Sequence, residues 1–131
     1  MPSTVRSPLQ HVSPTSTPER WETDAGDADV ARLNIPDDPR RDRTFEVSCS
    51  FTVAPIGTGE STHGLRLLVN GAQEWSRDVR THAGERDSLD YRFKRTLPAG
   101  QPLRVNATTS VKGCKRVRLL ISAEETSAEE T

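Results

Sequence analysis

The stretch that decides the fold is Phe45-Glu-Val-Ser-Cys-Ser-Phe-Thr-Val53, in which apolar and polar residues alternate without a break. This period of two is typical of a β-strand with one face buried and the other in water. Outward from it, six further stretches show the same pattern. Their apolar positions are Ala31, Leu33 and Ile35; Leu65, Leu67 and Val69; Trp75 and Val79; Leu89, Tyr91, Phe93 and Leu97; Leu103, Val105 and Ala107; and Val117, Leu119 and Ile121.

Turn-forming residues separate these stretches, and no stretch has helical periodicity. Pro36-Asp-Asp-Pro39 and Pro98-Ala-Gly100 interrupt the alternation, and Asn70-Gly71 is a strong hairpin signal because both residues tolerate positive φ. The pattern therefore predicts an all-β protein: a small antiparallel two-sheet sandwich of about seven strands, either immunoglobulin-like or jelly-roll. The order of the strands in the sheets is left open.

Composition divides the chain into three parts. Residues 1–28 are rich in Pro, Ser and Thr, which predicts a flexible or partner-bound N-terminal arm. Residues 29–123 form the predicted sandwich, and residues 124–131 form a short acidic tail. The low hydrophobic share of 32% thus reflects two polar ends that dilute a sandwich of ordinary composition.

The net charge of −1 conceals an uneven distribution. The arm carries two basic and four acidic residues (−2), the sandwich 16 basic and 11 acidic (+5), and the tail four glutamates (−4). The densest positive cluster is Lys112, Lys115, Arg116 and Arg118, which could bind phosphates or an acidic protein surface, dock the glutamate-rich tail, or be a solvated strand face. No aromatic residues are interleaved with it, so nucleic acid is not the expected partner.

Two cysteines, Cys49 and Cys114, form a candidate disulfide. Such a bridge would persist only in an oxidising compartment. The first eight residues lack the apolar core of a secretory signal, so we expect two reduced core thiols instead.

No pattern points to catalysis, a metal or a cofactor. The three histidines, His11, His63 and His82, have no catalytic motif around them, and the latter two are predicted to lie in exposed loops. The acidic stretch 24–29 does not have the spacing of a calcium loop. We therefore expect a protein without catalytic residues, bound metal or cofactor.

Three residues are candidates for ligand binding. Thr62 and His63 close a glycine-rich loop, Ile56-Gly-Thr-Gly-Glu-Ser-Thr-His-Gly64, and loops on a rigid sandwich often carry function. Trp75 follows the hairpin turn and could stack on a sugar, although a sandwich with 5% aromatic residues favours a core position for it.

Two functions fit these observations. The first is a structural or assembly protein in which the sandwich and its arm contact neighbouring subunits, with a protein partner or a homo-oligomer. The alternative is a ligand-binding module, with carbohydrate the best-fitting ligand. No stretch approaches the roughly 20 apolar residues that a membrane span needs, and without a signal peptide we expect a cytoplasmic protein or part of an intracellularly assembled particle.

Overall fold

The computed structural model describes residues 18–82 and 84–126, and the predictions for residues 1–17 and 127–131 lie outside this part. The described chain contains eight β-strands and no helix. They are β1 (Arg20–Asp24), β2 (Val30–Ile35), β3 (Arg43–Pro55), β4 (Thr62–Val69), β5 (Ala72–Arg80), β6 (Asp87–Leu97), β7 (Leu103–Lys112) and β8 (Cys114–Thr126).

The strands form two antiparallel four-stranded sheets, β1-β8-β3-β6 and β2-β7-β4-β5. The pairings are nested about the turn at Asn70-Gly71: β4 pairs with β5, β3 with β6, β2 with β7 and β1 with β8. The chain is therefore one long hairpin that has been rolled into two layers. This arrangement confirms the predicted all-β sandwich and is a jelly-roll, the second of the two predicted topologies.

The core lies between the sheets and takes alternate residues from each strand. On β3, every second side chain from Phe45 to Val53 is buried, as the alternation predicts. The expected inward residues of β8 follow this rule except Val117, which is half-buried. The pairing of β3 with β8 shifts register between Thr52 and Val53, because Val117 is an extra residue in a β-bulge.

The sandwich extends beyond the predicted boundaries, 29 and 123, at both ends. Strand β1 falls within residues 1–28, and β8 continues to Thr126. Strand β1 contains one large apolar side chain, Trp21, so it lacks the alternation that reveals a strand. Its place at the sheet edge comes from backbone pairing, in which Arg20 lies opposite Glu124.

An ion cluster holds the corner where the described chain begins and ends, and we call it the corner cluster: Glu19, Arg41, Arg43 and Glu125. Arg41 donates hydrogen bonds to both glutamates. Burial alone would raise the pKa of Glu125, but the hydrogen bond from Arg41 and the nearby charges outweigh it and hold this pKa below its usual value. The cluster therefore joins β1, β3 and β8 through charged side chains.

Candidate interaction surface

The outer surface of the β2-β7-β4-β5 sheet is basic, and we call it the basic face. Strand alternation and register place its members on one side of the sheet. They are Val30, Arg32 and Asn34 on β2; Arg104, Asn106, Thr108, Ser110 and Lys112 on β7; Thr62, Arg66 and Leu68 on β4; and Gln73, Ser76, Asp78 and Arg80 on β5. Five of these side chains are cations and one, Asp78, is a carboxylate.

The cations of the basic face have no counter-ions in the part of the chain that the structure describes. None of Arg32, Arg66, Arg80, Arg104 and Lys112 forms an ion pair there. Arg66 donates one neutral hydrogen bond, from Nε to Oε1 of Gln73 at 3.1 Å. Most donors of these guanidinium groups therefore have no acceptor among the described residues.

The outer surface of the other sheet is electrically balanced. It carries five cations, Arg20, Arg92, Lys94, Lys115 and Arg118, and five carboxylates, Glu22, Asp24, Glu46, Asp90 and Glu124. Three of its arginines form ion pairs, for example Arg118 with Asp24 at 2.8 Å. The positive charge without an internal partner is therefore concentrated on one side of the sandwich.

A shallow depression lies in the middle of the basic face. Its volume is about 230 Å³ and its floor is Gly64, which has no side chain to fill it. The register sets Asp78 on one side of Gly64 and Ser110 on the other. Both side chains lean inward, since a Cβ added to Gly64 would lie 1.9 Å from Oδ1 of Asp78 and 2.7 Å from Oγ of Ser110.

Sequence reasoning missed this face because its charges are distributed over four strands. No two of the five cations are close neighbours in the chain, so no local cluster marks them. The available signal is weaker: the outward positions of the seventh strand, from Arg104 to Lys112, contain no acidic residue.

The predicted basic patch is divided by the structure. Lys112 belongs to the basic face, whereas Lys115 and Arg118 lie on the opposite outer surface. Arg116 bends toward β7, where its Nε donates to Oγ1 of Thr109 at 2.9 Å. Lys112 is separated from the others because β7 and β8 belong to different sheets, and the β-bulge at Val117 turns Arg116 away from the side to which Arg118 points.

Trp75 packs against the core and is half-buried, in line with the preferred interpretation. Its ring stacks on Tyr91 with centroids 4.6 Å apart, and this pair bridges the edge strands β5 and β6. The hydroxyl of Tyr91 donates to Glu74, which also accepts from Arg95 at 2.7 Å. One face of the Trp75 ring is therefore occupied by Tyr91.

His63 is 1% exposed, so the prediction of an exposed loop position was wrong. Strand β4 begins at Thr62, and alternation turns His63 into the core while Thr62 stays exposed on the basic face. Nδ1 of His63 lies 2.8 Å from Oγ1 of Thr81, and Nε2 is buried with no partner among the described residues. The three candidate ligand residues, Thr62, His63 and Trp75, thus do not share one surface.

The two cysteines are both free and buried. Cys114 lies opposite Pro55, which is six residues along β3 from Cys49, or about 20 Å at the usual strand rise. A disulfide needs Cα atoms within about 7 Å, so these cysteines cannot pair in this fold. The structure accordingly agrees with the expectation of two reduced core thiols.

Within residues 18–82 and 84–126, no group of three or more His, Cys, Asp or Glu side chains could hold a metal ion. The same residues contain no helix long and apolar enough to cross a membrane.

No protein-family model matches the chain, and no curated protein matches it in sequence. Solved structures that are similar to it include the following three. The dimeric latent PorU from Porphyromonas gingivalis has a TM-score of 0.48 and 14% identity over 81% of this chain and 11% of that chain. The T13 IBDV viral particle has a TM-score of 0.42 and 12% identity, over 80% of this chain and 31% of that chain.

The third structure is the enzymatically active domain of tailspike protein 4 from Bacteriophage CBA120. It has a TM-score of 0.24 and 15% identity, over 81% of this chain and 18% of that chain. The chain thus spans between about a tenth and a third of the length of these three proteins.

Proposed function

We propose that this chain is a non-enzymatic protein-interaction module that docks through the basic face onto a carboxylate-rich surface of a neighbouring protein. The observation that carries this proposal is the contrast between the two outer surfaces. One outer surface balances five cations with five carboxylates and forms three ion pairs, whereas the other presents five cations without ion pairs among the described residues.

The chemistry of the face fits carboxylates. Four of the five cations are arginines, whose planar guanidinium groups bind carboxylates through two parallel hydrogen bonds. The amides and hydroxyls between them, such as Asn106 and Thr108, can bind the polar rim of an interface. No aromatic side chain lies among the outward residues of this sheet, so the stacking on which single-stranded nucleic acid depends has no support here.

The proposal of a non-enzymatic role is supported by the distribution of reactive groups. His63 is buried, and His82 is exposed in the loop before β6, so they do not converge on a common pocket. The depression at Gly64 is open and contains one carboxylate and no histidine or cysteine. Among the described residues, the histidines thus lie apart from each other and from the depression, and this separation supports a non-enzymatic role.

Binding of the full chain to fluorescent polyglutamate tests the docking surface. Reversing two charges with Arg66→Glu and Arg104→Glu should weaken binding at least tenfold at low salt, because four units of charge are removed from the face. The matched control reverses Arg92 and Lys94 on the opposite outer surface, which changes the net charge equally. Equal loss of binding in the two double variants would contradict the proposal.

Light scattering on the full chain tests whether the neighbour is another copy. A homo-oligomer has a mass that is a multiple of 14.5 kDa. If the basic face forms that contact, the Arg66→Glu and Arg104→Glu variant should return to the monomer mass, while the control double variant should not. An oligomer unaffected by either pair would place the contact elsewhere.

A further inference from the structure

A single carboxylate lies among the cations of the basic face, on its edge strand β5. Asp78 lies between Ser76 and Arg80 on β5, and directly across from Gly64 on β4. Arg66 on β4 lies one row from it in one direction along the sheet, and Arg80 and Lys112 lie one row from it in the other, Lys112 on β7 beyond β4. The face therefore has cations on both sides of one negative charge along the strand direction.

Asp78 forms no ion pair within 4.0 Å with the nearby cations of the described chain, although Arg66 and Arg80 are near in register. Instead its carboxylate folds over the main chain at Gly64, next to the hydroxyl of Ser110. Any other residue at position 64 would occupy this space, so the glycine is what allows the carboxylate to lie there.

The charge of Asp78 affects which partners can bind the basic face. A uniform polyanion lying across the face would set one of its own charges against this carboxylate, and such like-charge contacts are a source of specificity. A partner that offers an ammonium, a guanidinium or a neutral donor at this point gains a hydrogen bond from the same group. The depression of about 230 Å³ has room for the end of one such side chain.

Building on the proposed docking function, we infer that Asp78 is a specificity-determining residue that selects a protein surface with a lysine or arginine between carboxylates. The same residue discriminates against uniform polyanions such as nucleic acid. Gly64 is a positioning residue, because its missing side chain leaves the space that the carboxylate occupies in the depression.

Two peptides distinguish discrimination by Asp78 from a general attraction of acidic peptides to the basic face. The first is a chain of nine glutamates, and the second has lysine in place of the central glutamate. The native protein should bind the lysine peptide at least as tightly as the first, although that peptide carries two fewer negative charges. Asp78→Asn should reverse this order, so that the all-glutamate peptide binds about three times more tightly than the lysine peptide, a difference in the range of one exposed ion pair.

Asp90→Asn is the matched control. Asp90 is an exposed carboxylate on the opposite outer surface, so its loss changes the net charge equally and should preserve the native order of the peptides. Duplex DNA as a third probe should bind more tightly to Asp78→Asn than to Asp90→Asn. Equal behaviour of the two variants toward all three probes would overturn the inference.

The Arg66→Glu and Arg104→Glu variant separates this inference from the proposed function. If that variant no longer binds the peptides while Asp78→Asn binds them in the same order of affinity as the native chain, the basic face binds acidic ligands, but Asp78 does not discriminate among them. If that variant binds all probes as the native chain does, the docking function itself fails, and the discrimination by Asp78 fails with it.

Discussion

The guanidinium of Arg43 donates a hydrogen bond to the carboxylate of Glu19, with Nη1 and Oε1 2.9 Å apart. Arg43 is 4% exposed, so this charge has little access to water. Nη2 of Arg43 donates a second hydrogen bond to the carbonyl oxygen of Pro36 at 2.8 Å. The Cζ atom of Arg43 lies over the ring of Phe45, 5.4 Å from the ring centroid. A buried cation at the start of β3 therefore depends on a carboxylate that precedes the edge strand β1.

Replacing Glu19 should destabilise the fold more than replacing an exposed glutamate. Glu19→Ala leaves the buried Arg43 without its anion, and we expect a loss of about 2 kcal/mol in the free energy of unfolding. Glu124→Ala, which breaks the exposed pair with Arg20, should change it little. Urea denaturation of both variants measures the difference, and similar midpoints would contradict a special role for Glu19.

Gly113, in the turn between β7 and β8, should tolerate alanine poorly. Its φ is +73°, and an added Cβ would lie 2.5 Å from the carbonyl oxygen of Glu60, which is backbone and cannot easily move. We expect Gly113→Ala to cost about 2 kcal/mol or more, from the left-handed conformation and the contact together. Gly100→Ala is the control, since φ is +88° there and the Cβ meets open space, so only the conformational cost of about 1 kcal/mol applies.

The buried His63 should make stability depend on pH. Burial lowers its pKa in the folded protein, with the charge of Asp87 opposing the effect, while in the unfolded chain the pKa is about 6.5. Below this pH the unfolded chain binds the proton and the folded protein does not. Stability should therefore fall as the pH drops from about 6.5 toward the lowered folded value, by at most about 1.4 kcal/mol per pH unit.

Urea midpoints at several pH values isolate this contribution. His63→Gln removes the titrating group and keeps a polar partner for Thr81, so this variant should lose the slope between about pH 6.5 and the lowered folded pKa. His82→Gln, at an exposed loop residue, should retain it. If the pH dependence of stability persists in His63→Gln, other titrating groups cause it.

Both thiols should be inert in the folded protein. Burial, with a smaller contribution from Asp90, raises the pKa of Cys49 to about 12, and Cys114 is also buried. We expect no reaction with Ellman's reagent at pH 8 under native conditions, and two thiols per chain in urea, because the thiolate is the reactive form. A mass shift of two hydrogens on reduction would instead reveal a bridge and contradict the separation of the two cysteines in the fold.

Local patterns predicted the strands well and their arrangement poorly. A strand with one buried face shows a period of two in its own residues, so seven strands could be identified from side chains such as Phe51 and Leu89. The order of strands depends on pairing between distant segments, as in Cys49 with Ile121, which leaves no local signal. Strand β1 was missed because its pairing is mainly through the backbone.

The candidate site shows the same limit. A basic face becomes visible only when four strands are laid side by side, so the sequence suggested the local cluster at residues 112–118 instead. His63 was misassigned because it follows a run of glycines and polar residues typical of a loop. In the structure, pairing of Thr62 with Arg80 and Lys112 extends β4 into that run and turns the histidine inward.

The nested strand pairing implies an order of folding events. Paired residues are three positions apart at Val69 and Ala72 but 104 apart at Arg20 and Glu124. The entropy lost on closing a loop grows with its length. Strand pairing should therefore start at the Asn70-Gly71 turn and proceed outward, one pair of strands at a time. The contact of β1 with β8 then forms last and opens first. Because the corner cluster stabilises this contact, it opposes the first step of unfolding.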